Sequence, residues 1–158
     1  SRFPGEAISL PQMDAIVSGQ YAAEHAALAV AHAQKAPFLF LDTDLLSTIG
    51  YLELYWGGRA TPRCEEWYRV RDRLEELYEP ADFYILCGDD VPFEPDPLRY
   101  GGDKRETTTE YWEALLQRYG CKYETVRGTP DERGPRAAAI AERELQLRAG
   151  FYGYRRPR

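Results

Sequence analysis

Two acids flank a threonine at Asp42-Thr43-Asp44, directly after the apolar run Phe38-Leu39-Phe40-Leu41, and a second acidic pair, Asp89-Asp90, follows another apolar run that ends at Cys87. Carboxylates in such pairs hold magnesium or orient a hydroxyl for phosphoryl transfer. That reaction needs positioning, a divalent ion and positive charge at the transferred group rather than a covalent nucleophile. The competing reading of Asp42 or Asp44 is a cap on the following helix. Other metal chemistry is not expected. His25 and His32 lie in an alanine-rich stretch with no carboxylate cluster nearby, and Cys64, Cys87 and Cys121 form no Cys-x-x-Cys pair, so they read as buried or half-buried free thiols.

The elements that must position these acids alternate between two periods. Ser9 and Gln12 form a capping box with Pro11 in the first turn, and Met13, Ile16, Val17, Tyr21 and Leu28 predict a helix over 10–34. The run from Pro37 that ends in Asp42 and Asp44 predicts a strand buried on both faces of a parallel sheet. Thr61-Pro62 predicts the start of a helix with a stripe of Trp67, Val70, Leu74 and Leu77 that stops before Pro80, and 82–87 predicts a second buried strand.

Residues 89–104 hold three prolines and the pair Gly101-Gly102, and they follow neither period, as expected of a long ordered loop or a lid. A capping box at Thr107 and Glu110 then predicts a helix through Trp112, Leu115, Leu116 and Tyr119, ended by Gly120. A weaker strand over 122–127 and a last helix over 135–148 complete the pattern. Strands alternating with helices predict an α/β fold, a parallel sheet with helices on both faces and ligands beyond the carboxyl ends of its strands. One domain over 1–150 and a basic tail over 151–158, with Arg155-Arg156-Pro157-Arg158 as a solvated terminus, follow from the length.

A net charge of −6 argues against attraction to nucleic acid or anionic lipid. No stretch is apolar enough for a membrane span, and the opening residues lack the charged-then-apolar order of a secretory signal, so the expected compartment is the cytoplasm.

Four segments, in order, resemble the bacterial nicotinamide riboside kinase domain of the NadR type. Ile16-Val-Ser-Gly-Gln20 with Glu24 matches the helix before its second strand. FLDTDLLST, residues 40–48, with Tyr51 and Tyr55-Trp56-Gly57 resembles the second-strand motif. VPFEPDPLR, residues 91–99, is similar to the lid motif, and GTPDER, residues 128–133, to the adenine-side segment.

The resemblance implies a P-loop kinase-like fold, ATP and Mg2+ as cofactors, and phosphorylation of the riboside 5′-hydroxyl to give nicotinamide mononucleotide in NAD biosynthesis or salvage. It implies that Asp42 and Asp44 hold magnesium or orient the sugar hydroxyl and that Arg99 closes over the phosphates. Tyr51, Tyr55, Trp56 and Phe93 would clamp the pyridinium ring and Asp96 would contact the substrate, while Thr129 and Arg133 would contact the nucleotide. Core packing is the competing reading of the aromatics, and a surface pair with Asp96 or Glu94 that of Arg99.

The phosphate-loop pattern G-x-x-x-x-G-K-[ST] does not occur in these residues, and 101–107 has the wrong glycine spacing for it. The expectation is that the loop and its strand lie ahead of Ser1 in a longer polypeptide, without which the kinase is inactive. Another P-loop ATPase or nucleoside kinase, and a noncatalytic nucleotide-binding regulatory domain, stay open as alternatives. A fused adenylyltransferase domain or a homo-oligomer is compatible with the same reading.

Overall fold

The computed structural model describes residues 9–57, 65–92 and 107–153, with side chains described as far as residue 148. Phe93, Asp96, Arg99, Cys64, the Thr61-Pro62 helix start, the larger part of the 89–104 loop and the Arg155–Arg158 tail lie outside these residues. The chain divides into two compact units, the first holding the described residues up to Pro80 and the second those from Ala81 onward.

The first unit is helical. Helix α1 (Leu10–Ala33) starts at Ser9, whose backbone N–H and hydroxyl both donate to Gln12 Oε1, at 2.7 and 2.9 Å, as the capping box predicts. Helix α2 (Leu45–Leu52) continues into a π-helical turn at Glu53–Gly57, and α3 (Glu65–Leu77) follows. Met13 and Val17 of α1, Leu45, Leu46, Ile49 and Leu52 of α2, and Trp67, Val70 and Leu74 of α3 are all buried and form its core. The stripe on α1 is narrower than its sequence predicts, because Ile16 and Leu28 are exposed.

The expected strand at 37–42 does not form. Leu39, Phe40 and Leu41 are 38, 67 and 39% exposed and belong to no ladder. Apolar, aromatic-rich composition raises β propensity, but a strand exists only through a hydrogen-bonded neighbour, and composition does not supply one.

The second unit is a β–α–β unit with a further helix. Strands β1 (Tyr84–Cys87) and β2 (Tyr123–Val126) run parallel, with Tyr84 opposite Tyr123 and Cys87 opposite Val126. Helix α4 (Thr109–Arg118) packs on β1, and α5 (Pro130–Gly153) packs on β2. Leu115, Leu116, Val126, Ile140 and Ala141 are its buried apolar residues.

β1 is half-buried rather than buried, with Cys87 exposed at its end and Cys121 half-buried. Among the described residues each strand of the two-stranded sheet is an edge, so neither is flanked by strands on both sides. Helix α4 is capped by Thr108 rather than Thr107. Helix α5 begins five residues before the predicted start, because Thr129 and Glu132 form a capping box with Pro130 in the first turn, and the helix runs on through Pro135. The fold is a helix-rich α/β arrangement with a small parallel sheet, as the alternation of elements predicts.

Candidate functional site

In the first unit the Asp42-Thr43-Asp44 turn is held by side chains from α1. Thr43 has φ +68°, a left-handed conformation that costs a β-branched residue about 1–3 kcal/mol and persists only where surroundings enforce it. Gln20 Nε2 donates to Thr43 O at 3.5 Å and to Glu24 Oε1 at 2.9 Å, tying the turn to α1.

The two aspartates have different environments. Asp42 is exposed, whereas Asp44 is 8% exposed and caps α2, its Oδ1 accepting from Ser47 N–H at 3.2 Å. The cap that the sequence offers as the competing reading is thus present at Asp44. Glu24 joins it as a third carboxylate. Burial raises the Glu24 carboxyl above its ordinary range, and the nearby charge of Asp44 adds to the rise, while the Gln20 hydrogen bond opposes it. Glu24 was legible only as part of a helix motif, because its neighbour in space is twenty residues away in sequence.

Tyr51 lies seven residues after Asp44, two helical turns along the same face of α2. Its ring stacks on Tyr55 at 5.9 Å between centroids and 11° between planes, and Trp56 meets Tyr55 edge-on at 5.9 Å. Tyr51 is exposed and Tyr55 and Trp56 are half-buried, so none is part of the packed core. The π-helical turn carries Tyr55 and Trp56, and such turns occur frequently at functional sites.

In the second unit the residues just beyond the carboxyl end of β1 carry the other acids. Asp89 locks the start of α4, as its Oδ1 accepts from the Thr109 hydroxyl at 2.7 Å and its Oδ2 from Thr109 N–H at 3.2 Å. Asp90 faces the turn after β2, accepting from Gly128 N–H at 2.6 Å and from Arg133 Nη2 at 2.6 Å. The Gly128 hydrogen bond, and then the Arg133 and Arg127 charges, hold the Asp90 carboxyl below its ordinary range. Thr129 donates its N–H and its hydroxyl to Glu132, so both Thr129 and Arg133 have structural partners within this turn.

Gly88 and Gly128 are required here. A Cβ at Gly88 would fall 2.8 Å from Asp90 Oδ1, and Gly128 has φ +110° with Glu132 Oε2 2.6 Å from where a Cβ would stand. The groove of about 650 Å³ lined by Asp14, Tyr68, Arg69, Asp72 and Arg73 holds none of the sequence-predicted residues. His25 contacts the Tyr21 ring, and no group of three or more His, Cys, Asp or Glu gathers as a metal centre among the described residues.

Magnesium fits this donor set only in one manner. It binds hard oxygen donors and commonly takes one or two protein carboxylates together with substrate phosphates, so exposed Asp42 suits it without a complete protein cage.

The parallel β–α–β unit, with its acids beyond the carboxyl end of β1, is consistent with the P-loop nucleotide-binding class of α/β domains, and the family match assigns the chain to that class. The chain is a member of the AAA domain family, whose family model matches residues 4–133. No curated protein and no solved structure matches it. Among the described residues no helix is long and apolar enough to cross a membrane.

Proposed function

We propose that the protein transfers the γ-phosphoryl group of ATP to the 5′-hydroxyl of nicotinamide riboside, releasing ADP, nicotinamide mononucleotide and the hydroxyl proton. The observation that carries this reading is the acidic turn held at positive φ, continuous with a helix whose following turns present stacked tyrosines. A pyridinium is a flat cation, and aromatic faces attract it through their quadrupole. The reading also draws on the resemblance of residues 16–24, 40–57, 91–99 and 128–133 to nicotinamide riboside kinase domains.

Each residue has a chemical task in this reaction. Asp42 holds Mg2+ or orients the sugar hydroxyl, and magnesium, when bound with ATP, neutralises charge on the phosphates. Asp44, through its cap on α2, fixes the angle at which the turn meets the helix. Tyr51, Tyr55 and Trp56 receive the pyridinium ring, joined by Phe93 and Asp96. Arg99 supplies a planar, always charged guanidinium suited to phosphate oxygens. Thr129 and Arg133 shape the nucleotide side. The reaction needs a phosphate loop, and the pattern G-x-x-x-x-G-K-[ST] does not occur in these 158 residues.

Incubating the natural polypeptide with ATP, Mg2+ and nicotinamide riboside, and resolving products by chromatography, tests the proposal. Formation of the mononucleotide and ADP in equal amounts is expected. Turnover of other nucleosides with the riboside untouched overturns the substrate. Absence of any phosphorylated product overturns the kinase and leaves a nucleotide-binding regulatory domain.

A further inference from the structure

The turn joining β2 to α5 has five consecutive backbone polar groups, each with a partner. Arg136 Nη1 donates to Arg127 O at 2.7 Å, Gly128 N–H donates to Asp90, Arg133 Nε donates to Gly128 O at 2.9 Å, and Thr129 N–H donates to Glu132 at 2.8 Å. Thr129 O accepts the first helical bonds from Glu132 N–H and Arg133 N–H at 3.0 and 3.1 Å. Water would satisfy these groups in an ordinary surface turn, at no cost in side-chain entropy. Here four side chains do so instead. Three of them come from the helix that follows, and Asp90 alone comes from the neighbouring strand end, 38 residues earlier in the chain.

Asp90 is therefore the only one of the four whose grip sets where the turn stands relative to β1. Its two oxygens divide the task, Oδ2 on Gly128 N–H and Oδ1 on Arg133 Nη2, and Arg133 passes the constraint on to Gly128 O. Arg133 is largely enclosed, with its side chain 15% exposed. The location is the carboxyl edge of two parallel strands, the edge at which α/β domains bind ligands.

We propose that Asp90 is a positioning residue for nucleotide: by gripping Gly128 and Arg133 it keeps the β2–α5 turn in one preformed shape against which ATP binds. The proposal rests on the reading that this turn faces the nucleotide. A turn already ordered before binding loses no conformational entropy when ligand arrives, so affinity falls when the grip is released even though Asp90 touches no ligand atom.

The test is made on the natural polypeptide, with Asp90→Asn and Arg133→Lys beside wild type. Asp90→Asn keeps an oxygen able to accept from Gly128 but removes the charge that holds Arg133. Arg133→Lys keeps the charge but loses the planar fork that reaches Asp90 and Gly128 together. Binding of a fluorescent ATP analogue and of nicotinamide riboside is titrated separately, and hydrogen exchange at Gly128 and Thr129 is followed together with the thermal melt.

ATP-analogue affinity weakened about tenfold in both variants is expected, since small misplacements of a binding wall carry penalties of that order or more. Faster exchange at Gly128 and unchanged riboside affinity should accompany it. If wild type binds the analogue and both variants bind it equally well, the positioning role is overturned while the nucleotide reading stands. Equal weakening of both ligands together with a lowered melt overturns it too, as the mark of a general structural role. If wild type binds no nucleotide, both the reading and the role fall. Should one variant fail to fold, the other decides.

Discussion

Asp89 and Thr109 hold each other by three hydrogen bonds: the Thr109 hydroxyl accepts from Asp89 N–H at 3.0 Å and donates to Asp89 Oδ1 at 2.7 Å, while Thr109 N–H donates to Oδ2 at 3.2 Å. Thr109 is 2% exposed and Asp89 half-buried, so the residues just after β1 and the first of α4 are joined at a largely enclosed contact. The neighbouring threonines serve the same helix end, Thr108 accepting from Tyr111 N–H and Thr107 from Trp112 Nε1.

Thr109→Val keeps the shape of the side chain and removes its hydroxyl. It should lower unfolding free energy by about 1–3 kcal/mol, because Asp89 loses a donor and its own N–H loses an acceptor in a buried setting. Chemical denaturation measures this, and a change within error would show that water replaces the hydroxyl.

The unequal environments of the acids in the turn separate two substitutions. On the proposed role of Asp42, Asp42→Asn should reduce turnover about 100-fold with an unchanged melt, since only an exposed charge is removed. Asp44→Ala should instead cost about 1 kcal/mol of stability through loss of the α2 cap, whereas Asp44→Asn retains a good cap. Steady-state kinetics beside thermal melts distinguish these outcomes, and normal turnover in Asp42→Asn would remove that residue from the mechanism.

Replacing Tyr55 by leucine preserves apolar bulk and discards the ring face. An increase in KM for nicotinamide riboside of about tenfold is expected, the size of a cation–π contact in a partly desolvated setting. KM for ATP should not move. An unchanged riboside KM would show that the tyrosine stack only stiffens the π-helical turn.

Acid should loosen the β2–α5 turn. The Asp90 carboxyl is lowered chiefly by Gly128 N–H, and that of Glu132 chiefly by Thr129 N–H, so both bind protons more weakly folded than unfolded. Their stabilising contribution is complete above the ordinary carboxylate range of about 4 and is lost as pH falls through their depressed folded values. Amide exchange at Gly128 and Thr129, corrected for intrinsic pH dependence, should therefore accelerate below about pH 4. Asp90→Asn should abolish the Asp90 share of that change.

Much of the local structure was legible in the sequence because it rests on short-range chemistry. The Ser9–Gln12 box starts α1, the alternation of periods predicts β1, α4 and β2, and the Trp67, Val70 and Leu74 stripe marks the buried face of α3. The Thr129–Glu132 box was equally present and would have placed the start of α5 correctly, but Pro135 drew the predicted start inward.

What the sequence alone determined is therefore the type and order of α1, α3, β1, α4, β2 and α5, the acids that follow its two apolar runs, and the aromatic residues that follow the first acidic turn. Tertiary structure decided the rest, since each decision required a partner distant along the chain. Phe38-Leu39-Phe40-Leu41 needed a neighbouring strand to become one, and has none in the described sheet. Asp44 became a buried cap with Glu24 beside it, Asp89 turned to Thr109, and Asp90 turned to Gly128 and Arg133. Residue type sets what a carboxylate can accept, but only the folded chain sets which N–H groups stand within reach.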